Sequence, residues 1–497
     1  MTKEHALKIL ADTQEKLWSL GAAMGLISHD GNTVAPKDAY IPRGHIAAAL
    51  SEQYYLVETA PEFGEALDTL DGIKDTLDEK TARQVYLYKR SRRESERIPM
   101  DEYVEFNRLL NDSAAVWHEA KEKSDFPMFA PYLEKTVDTL IRFAGYTDPD
   151  KKPYDVCLDK FESGLTVGKC EEFFGAVAPA VKKLITRVCN APKPDTSFMR
   201  EYFPVEKQIK LADRIAEIML IDRSRFAYAL TEHPYTTDCS KYDVRVATHY
   251  AETDFGSALF ANIHECGHSL YELHIADDLQ FTVLGGGVSM GIHESQSRFY
   301  ENIIGRSKAF SELLLPELRA IAPSQFRGVT ADMLWRAVCD SKPSLIRTEA
   351  DELTYTMHIL IRYELEKKLM DRSIRVKELP ECWNTLYREY LGVEVPDDRH
   401  GVLQDSHWSG GAIGYFPSYA LGSAYGAQML SAMKQSFNVD TAVANGDFTQ
   451  INGWLEDRIW KYGSLIEPSV LLEKAVGQPF SPQYFIDYLT EKYTELY

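Results

Sequence analysis

Residues 254–274, DFGSALFANIHECGHSLYELH, set the reading of the whole chain, because His264-Glu265-Cys266-Gly267-His268 spells H-E-x-x-H within them. Leu259, Ile263, Gly267 and Leu270 recur at three- and four-residue spacings, the period of a helix with one buried side. Asp254 or Ser257 offers the oxygen that caps its start. Four residues apart on such a helix, His264 and His268 share a face, with Cβ atoms about 5–6 Å apart. Both rings then reach one Zn²⁺ at roughly 2.0–2.1 Å, and Glu265 stands beside an activated water as a general base. Cys266 falls about 200° round the helix from His264 and reads as a small packing residue. The pattern predicts a catalytic metal on a buried helix, with metal-assisted peptide hydrolysis as its chemistry.

A third ligand is needed, and the chain offers a decoy. His274 stands where the extended H-E-x-x-H-x-x-G-x-x-H pattern places its last histidine, and Ser289-Met290 imitates the turn that accompanies it. Yet Tyr271 replaces the glycine that must break the helix. On a continuous helix His274 points about 80° away from His264 and about 15 Å along the axis, out of reach of the ion. Glu294, in His293-Glu294-Ser295-Gln296-Ser297-Arg298, is the better candidate, since two histidines, a glutamate and one open position make a catalytic zinc site. The Gly285-Gly286-Gly287 turn and a strand-like segment 281–290 would return the chain to a second helix starting near 289–294. Spacing by itself favours an ordinary surface glutamate at 294. Glu272, one turn beyond His268, suits a supporting role behind the ligands.

The rest of the chain reads as a large helical body. It has 497 residues, 44% hydrophobic and 26% charged, enough for an extensive core. Helical periodicity runs through 3–24, 65–91, 100–123, 132–144, 170–189, 206–228 and 483–497. Breakers at Pro42-Arg43-Gly44, Pro127, 145–153 and Pro192-Lys193-Pro194 separate these runs. Strand-like segments are few, and the clearest, 242–250 and 281–290, bracket H-E-x-x-H. The prediction is one mostly α domain with a small β-sheet beside the active site and a cleft. A net charge of −20 argues against nucleic acid or an anionic membrane as partner. No apolar run reaches the length of a membrane span, and the first residues lack the plan of a signal peptide. Seven scattered cysteines without C-x-x-C suit a reducing compartment, so a cytoplasmic location is the expectation.

Several further motifs resemble the carboxypeptidase Taq family of H-E-x-x-H metallocarboxypeptidases. His293-Glu294-Ser295-Gln296 is similar to the family's H-E-S-Q with its zinc-binding glutamate. Ile346-Arg347-Thr348-Glu349-Ala350-Asp351 fits I-R-x-x-A-D, and Gly401-Val402-Leu403-Gln404-Asp405-Ser406-His407-Trp408 fits G-x-x-Q-D-x-H-W. Segments 117–129 and 153–166 extend the resemblance to nearly the whole chain. Two segments depart from the pattern. H-P-F is His233-Pro234-Tyr235, and D-x-R-x-T is Asp243-Val244-Arg245-Val246-Ala247, with threonine one place late at Thr248. The resemblance implies a helical fold like neurolysin and angiotensin-converting enzyme, with a long central groove in a single domain, 1–497. The N-terminal helices, about 1–130, would cover the groove, and 233–419 would carry the catalytic motifs. It also implies release of single residues from peptide C-termini with broad specificity, and a homodimer. One divalent metal per chain, Zn²⁺ before Co²⁺, would be held by His264, His268 and Glu294.

Residue chemistry then assigns roles. Zinc lowers the pKa of water toward about 7. Glu265 takes the proton and passes it to the leaving amine. A further donor to the oxyanion is expected from His407, Tyr415 or Tyr419, in HWSGGAIGYFPSY (407–419), with core packing the equal alternative for any one of them. An exopeptidase must hold a free carboxylate, which the planar fork of arginine suits. Arg347, with Asp351 four residues on to hold its guanidinium, is the choice the family motif supports. On the residues alone, an ion pair within one helix is the simpler reading. Arg245 is the second choice, and Gln404 assists. The rival readings are an endo-oligopeptidase on the same fold and a non-catalytic zinc-containing peptide-binding protein; an intact Glu265 argues against the latter.

Overall fold

The computed structural model describes residues 1–231 and 234–497, so His233 of the His233-Pro234-Tyr235 segment lies outside the described residues. Helical periodicity gives α1 (Lys3–Thr33), α2 (Tyr40–Glu58), α3 (Pro61–Asp71), α4 (Glu79–Arg97), α5 (Met100–Lys123), α6 (Phe126–Thr147), α7 (Pro153–Phe161) and α8 (Val167–Asn190). Next, α9 (Val205–Ile218) leads into the strands β1 (Phe226–Leu230), β2 (Tyr235–Ser240) and β3 (Asp243–Thr248). The sheet is followed by α10 (Phe255–Leu273), α11 (Met290–Arg298), which runs on into a π-helical turn at Phe299–Ile304, and α12 (Lys308–Ile321). Then come α13 (Ala331–Val338), α14 (Glu352–Met370) and α15 (Leu379–Leu391). Finally, α16 (Pro417–Lys434), α17 (Val439–Ala444), α18 (Phe448–Arg458), α19 (Pro468–Val476) and α20 (Gln483–Leu496) complete the chain. This is one mostly helical domain with a small sheet, as expected.

Local chemistry explains where the helices start. Thr2, Asp78, Asp125, Thr166, Asp254, Ser289 and Asp351 each accept a hydrogen bond from a backbone N–H in the first turn of the helix that follows. Asp78 makes a fresh start there, so the helix expected over 65–91 is two, α3 and α4. Pro42 and Pro127 open helices rather than break them, because both fall in a first turn, where the missing N–H has no partner to lose. The run 206–228 is helical only to Ile218; Leu220 takes a left-handed conformation (φ 62°) and the chain turns into β1.

The sheet has the order β1-β3-β2, with β1 parallel and β2 antiparallel to β3. Thr236 opposes Val246 and Thr237 opposes Arg245. Side chains alternate between faces. Val244, Val246 and Thr236 therefore share the face toward α10, and Arg245 and Thr237 share the other. Segment 281–290 is not a strand. Phe281 is left-handed (φ 63°), Thr282 closes a tight turn through its hydroxyl to Leu279 O at 2.7 Å, and Ser464 caps the carbonyls of Gly286 and Gly287. With these backbone groups satisfied by side chains, no ladder partner is needed.

One large apolar core extends from Trp117 to Leu496. A smaller core including Leu10, Leu17, Phe63, Leu67 and Tyr88 joins α1, α3 and α4 into a separate layer. Trp18 ties that layer to the sheet side, donating to Cys239 O at 3.2 Å and meeting Phe281 edge-on at 4.6 Å. No helix among the described residues is long and apolar enough to cross a membrane.

Candidate metal centre and active site

The backbones of α10 and α11 meet at Gly267. A Cβ there would stand 2.7 Å from Gln296 O and 2.8 Å from Ser297 Cα, so only glycine allows this approach. The start of α11 is fixed by Ser289, which accepts from Ile292 N at 3.1 Å, and by the buried Glu162, which accepts from Gly291 N at 2.8 Å. An anion at a helix N-terminus is favourable. One turn on, Glu294 faces both histidines of α10, with its Oε2 3.7 Å from His264 Nε2 and 3.5 Å from His268 Nε2. One ligand atom from each of the three lies within 4.8 Å of the other two.

The far side of each ring is also occupied. His264 Nδ1 meets Glu301 Oε2 at 2.9 Å. His268 Nδ1 meets His293 Nδ1 at 2.6 Å, and His293 Nε2 meets Glu272 Oε1 at 2.7 Å. Hydrogen bonds at Nδ1 leave both Nε2 lone pairs turned inward, the arrangement a metal requires. Two imidazoles and a carboxylate suit a divalent metal, so the residues present fit the ion that the motif implies. Burial opposes charge on Glu294, but Arg298, His264 and His268 outweigh it and hold its carboxyl well below the usual range. Arg298 Nε donates to Glu294 Oε1 at 2.7 Å. Burial also opposes charge on Glu301, which Arg298 and His264 nonetheless hold at about 2.

Two consequences can be measured. Glu301→Gln is expected to weaken metal binding about 10–100-fold, because the supporting carboxylate loses its charge; titration against a competing chelator reads this directly, and unaltered affinity would show that Glu301 does not support His264. Gly422 on α16 presses on the glutamate, and a Cβ there would lie 2.7 Å from both Glu294 Cβ and Cγ. Gly422→Ala is expected to displace the carboxylate and weaken metal binding about tenfold or more, the scale of overpacking a close contact; the same titration decides it.

His274 caps the end of α10, with its Nδ1 2.8 Å from Leu270 O and its ring against Trp460 at 5.0 Å, and is absent from the metal-ligating group. Cys266 is fully buried, with Sγ 3.6 Å from Tyr228 OH. Glu265 is 6% exposed, and Thr236 donates to its Oε2 at 2.7 Å. Burial raises its pKa, with His264 and Thr236 opposing.

Arg347 lies on a 3₁₀ turn, Arg347–Glu349, before α14, rather than inside a helix. Its expected partner Asp351 is the N-cap of α14 and serves Leu353 N, Thr354 N and Ser341 OH instead. Asp405 takes over: Arg347 Nε donates to Asp405 Oδ1 at 2.8 Å, and Nη1 donates to Tyr355 OH at 3.0 Å. The fully buried Arg362 reaches Asp405 Oδ2 at 2.7 Å. Gln404 accepts from Arg347 N at 2.9 Å and Arg362 Nη2 at 2.8 Å, while its own amide donates to Leu345 O and His400 O. Its side chain is thus engaged on both ends, and it bears on a ligand through the arginines. Arg245 is placed otherwise than expected. It lies on the sheet face opposite Thr236 and Glu265 and makes a two-point pair with Asp243 at 2.7 Å and 2.7 Å.

In the 407–419 stretch, His407 Nε2 meets Tyr419 OH at 3.2 Å and its ring lies against Phe416 at 4.4 Å and Tyr415 at 5.5 Å. The Arg347 guanidinium sits 5.1 Å from the Tyr419 ring centre, and Arg298 covers Tyr355 at 4.2 Å. One contact chain therefore runs from Glu294 through Arg298, Tyr355 and Arg347 to Tyr419 and His407. Burial pushes His407 down to about 4 and Tyr415 up to about 12, so both are neutral near pH 7. Sequence reasoning missed Thr236, Arg298, Glu301, Tyr355, Arg362 and Asp405. Arg298 and Glu301 were findable one and two helical turns after Glu294; the others come from elements whose meeting no local pattern announces.

Residues 9–493 match the family model described as carboxypeptidase Taq (M32) metallopeptidase. Carboxypeptidase 1 of Bacillus subtilis is 40% identical over 98% of this chain and 97% of its own length. The crystal structure of an M32 carboxypeptidase from Deinococcus radiodurans superposes with a TM-score of 0.96 at 33% identity, covering 99% of each chain. Metallocarboxypeptidase 1 of Trypanosoma cruzi superposes at 0.93 with 30% identity, covering 99% of this chain and 100% of that one. A family match over nearly the whole length, together with relatives this similar, means that the chain belongs to the carboxypeptidase Taq (M32) metallopeptidases and is a metallocarboxypeptidase.

Proposed function

We propose that the enzyme releases single residues, with broad preference, from peptides that end in a free carboxylate, with Zn²⁺ as its resident metal and Co²⁺ as the next choice for the same donors. The observation that carries this reading is Arg347. Three of its nitrogens are engaged, and Nη2 has no partner among the described residues and is not sealed from solvent. A guanidinium held from behind by Asp405, with one terminal nitrogen free, suits capture of a carboxylate.

His264, His268 and Glu294 would hold the metal, which when bound supplies a Lewis acid and acidifies water. Glu265 takes the proton of the attacking water and delivers it to the leaving amine. Thr236 aims the carboxylate. The buried His407 Nδ1 has no partner among the described residues, and a lone pair is tolerated there better than an N–H. This places the ring proton on Nε2, directed at the Tyr419 oxygen, so that the Tyr419 hydrogen is free to point at developing oxyanion charge. Tyr415, 5.0 Å away by ring centres, is the alternative donor. Gln404 acts through the arginines, and Arg245 supports the sheet.

The chain works as one unit, 1–497, with helices 1–130 covering a groove and 233–419 supplying the chemistry, as a cytoplasmic homodimer. Family membership and seven free cysteines support this. Mass spectrometry of a peptide digest over time tests the reading. Stepwise C-terminal ladders that stop on chelation are the expected result, and internal cuts would overturn it.

A further inference from the structure

Glu366, near the C-terminal end of α14, has no part in the reaction above. Its side chain is fully buried, and no basic group hydrogen-bonds to it among the described residues. Three donors converge on it instead. Trp408 Nε1 reaches Oε1 at 2.8 Å, while Tyr154 OH and Gly414 N reach Oε2 at 2.8 Å and 2.9 Å. Burying a carboxylate without a hydrogen-bonded cation is costly, and an apolar side chain would fill the same space more cheaply. What the carboxylate adds is three short, directional bonds.

Two of those bonds bracket the catalytic loop. Trp408 directly follows His407, and Gly414 directly precedes Tyr415. Gly414 is itself confined. Its φ is 97°, and a Cβ would stand 2.7 Å from the Cys157 carbonyl carbon, so its N–H has one available direction. Burial pushes the Glu366 carboxyl up to about 7, against the pull of Trp408, Gly414, Tyr154 and the nearby Arg362.

We propose that Glu366 is a positioning residue for the His407–Tyr415–Tyr419 cluster: by gripping the Trp408 indole and the Gly414 amide at once, it fixes both ends of the loop that presents the imidazole and the phenols. This rests on the reading of His407 as the donor that orients Tyr419, and of the tyrosines as the groups that meet the reacting carbonyl. Glutamine cannot replace the carboxylate, although it is nearly isosteric. Whichever way its amide is turned, the NH₂ faces either the Trp408 N–H or the Gly414 N–H, and neither donor can reverse.

The test uses the metal-loaded enzyme. Glu366→Gln is expected to lower kcat about tenfold to a hundredfold, with metal content and KM little changed, because misplacing a positioned donor affects the transition state more than binding. Adding Trp408→Phe removes the donor that clashes with the glutamine and is expected to restore part of kcat. In a His407→Ala background, Glu366→Gln is expected to cost less than in the parent, because one of the groups it positions is already gone. Hydrogen exchange of amides 407–415 should quicken in Glu366→Gln. An equal fall in kcat in both backgrounds, or unchanged exchange across the loop, would overturn the proposal. Unchanged kcat in His407→Ala alone would instead overturn the role of His407, while exchange still reports on the clamp. If Glu366→Gln does not fold, Trp408→Phe alone loosens one end and must move kcat and exchange the same way; no change in either would sink the idea.

Discussion

Glu265→Gln is expected to lower kcat by about 10²–10⁴-fold while the protein keeps its metal and its Tm. Glu265 is buried beside His264 and His268, yet the group placed to hold a metal is His264, His268 and Glu294 without it. Glutamine retains the length of the side chain and an oxygen to accept from Thr236, which now donates to Glu265 Oε2 at 2.7 Å. It has no lone pair basic enough to take a proton from water, and proton transfer is the function removed. Packing around α10 should not change, so thermal unfolding of the variant should match the parent. Metal analysis and single-turnover kinetics on one preparation separate the two roles. Loss of the metal along with turnover would mean that Glu265 is structural.

The second large effect is expected at the other end of the contact chain. Arg347→Ala should reduce kcat/KM on peptides with a free C-terminal carboxylate about 10²–10³-fold, the loss of a buried charge-assisted pair of roughly 3–4 kcal/mol. The same peptides amidated at the C-terminus are expected to be poor substrates from the start and to change little. The substitution carries a stability cost, because Asp405 loses one of two guanidinium partners. Arg362 stays bonded to Asp405 Oδ2 at 2.7 Å, which keeps the carboxylate paired. Comparing the two peptide forms on the same variant cancels that cost, since both report on the same folded fraction. Equal loss on both forms would remove Arg347 from substrate recognition and leave it as a brace for Tyr355 and Tyr419.

Legibility from the sequence depended on how local each feature is. The H-E-x-x-H helix was readable because its two ligands and its apolar side repeat at one period within a single element. Rejection of His274 likewise needed only helical geometry and the missing glycine at Tyr271. Segment 281–290 was misread because its Val, Leu and Thr content imitates a strand, whereas side chains of Thr282, Glu272, Tyr271 and Ser464 satisfy its backbone. β1 and β2 were missed because a three-stranded sheet is defined by pairing, and each strand alone has only five or six residues. Pairing Asp351 with Arg347 counts along a helix that in fact begins only at Glu352, five residues after Arg347.

The sequence by itself therefore determined the helical body, the two histidines, the glutamate between them and, through family motifs, the segments of Glu294, Arg347 and His407. These are properties of single helices and short runs, where covalent spacing sets geometry. Only the tertiary structure decided which groups surround them: Glu301 and His293 behind the ligands, Thr236 on the base, Asp405 in place of Asp351, and Glu366 across the loop. It also turned Arg245 away from Glu265, because a residue's neighbour on its strand lies on the opposite face and only the register says which face meets α10. Buried charges take partners from whatever element packs beside them, and that choice is made by the whole fold.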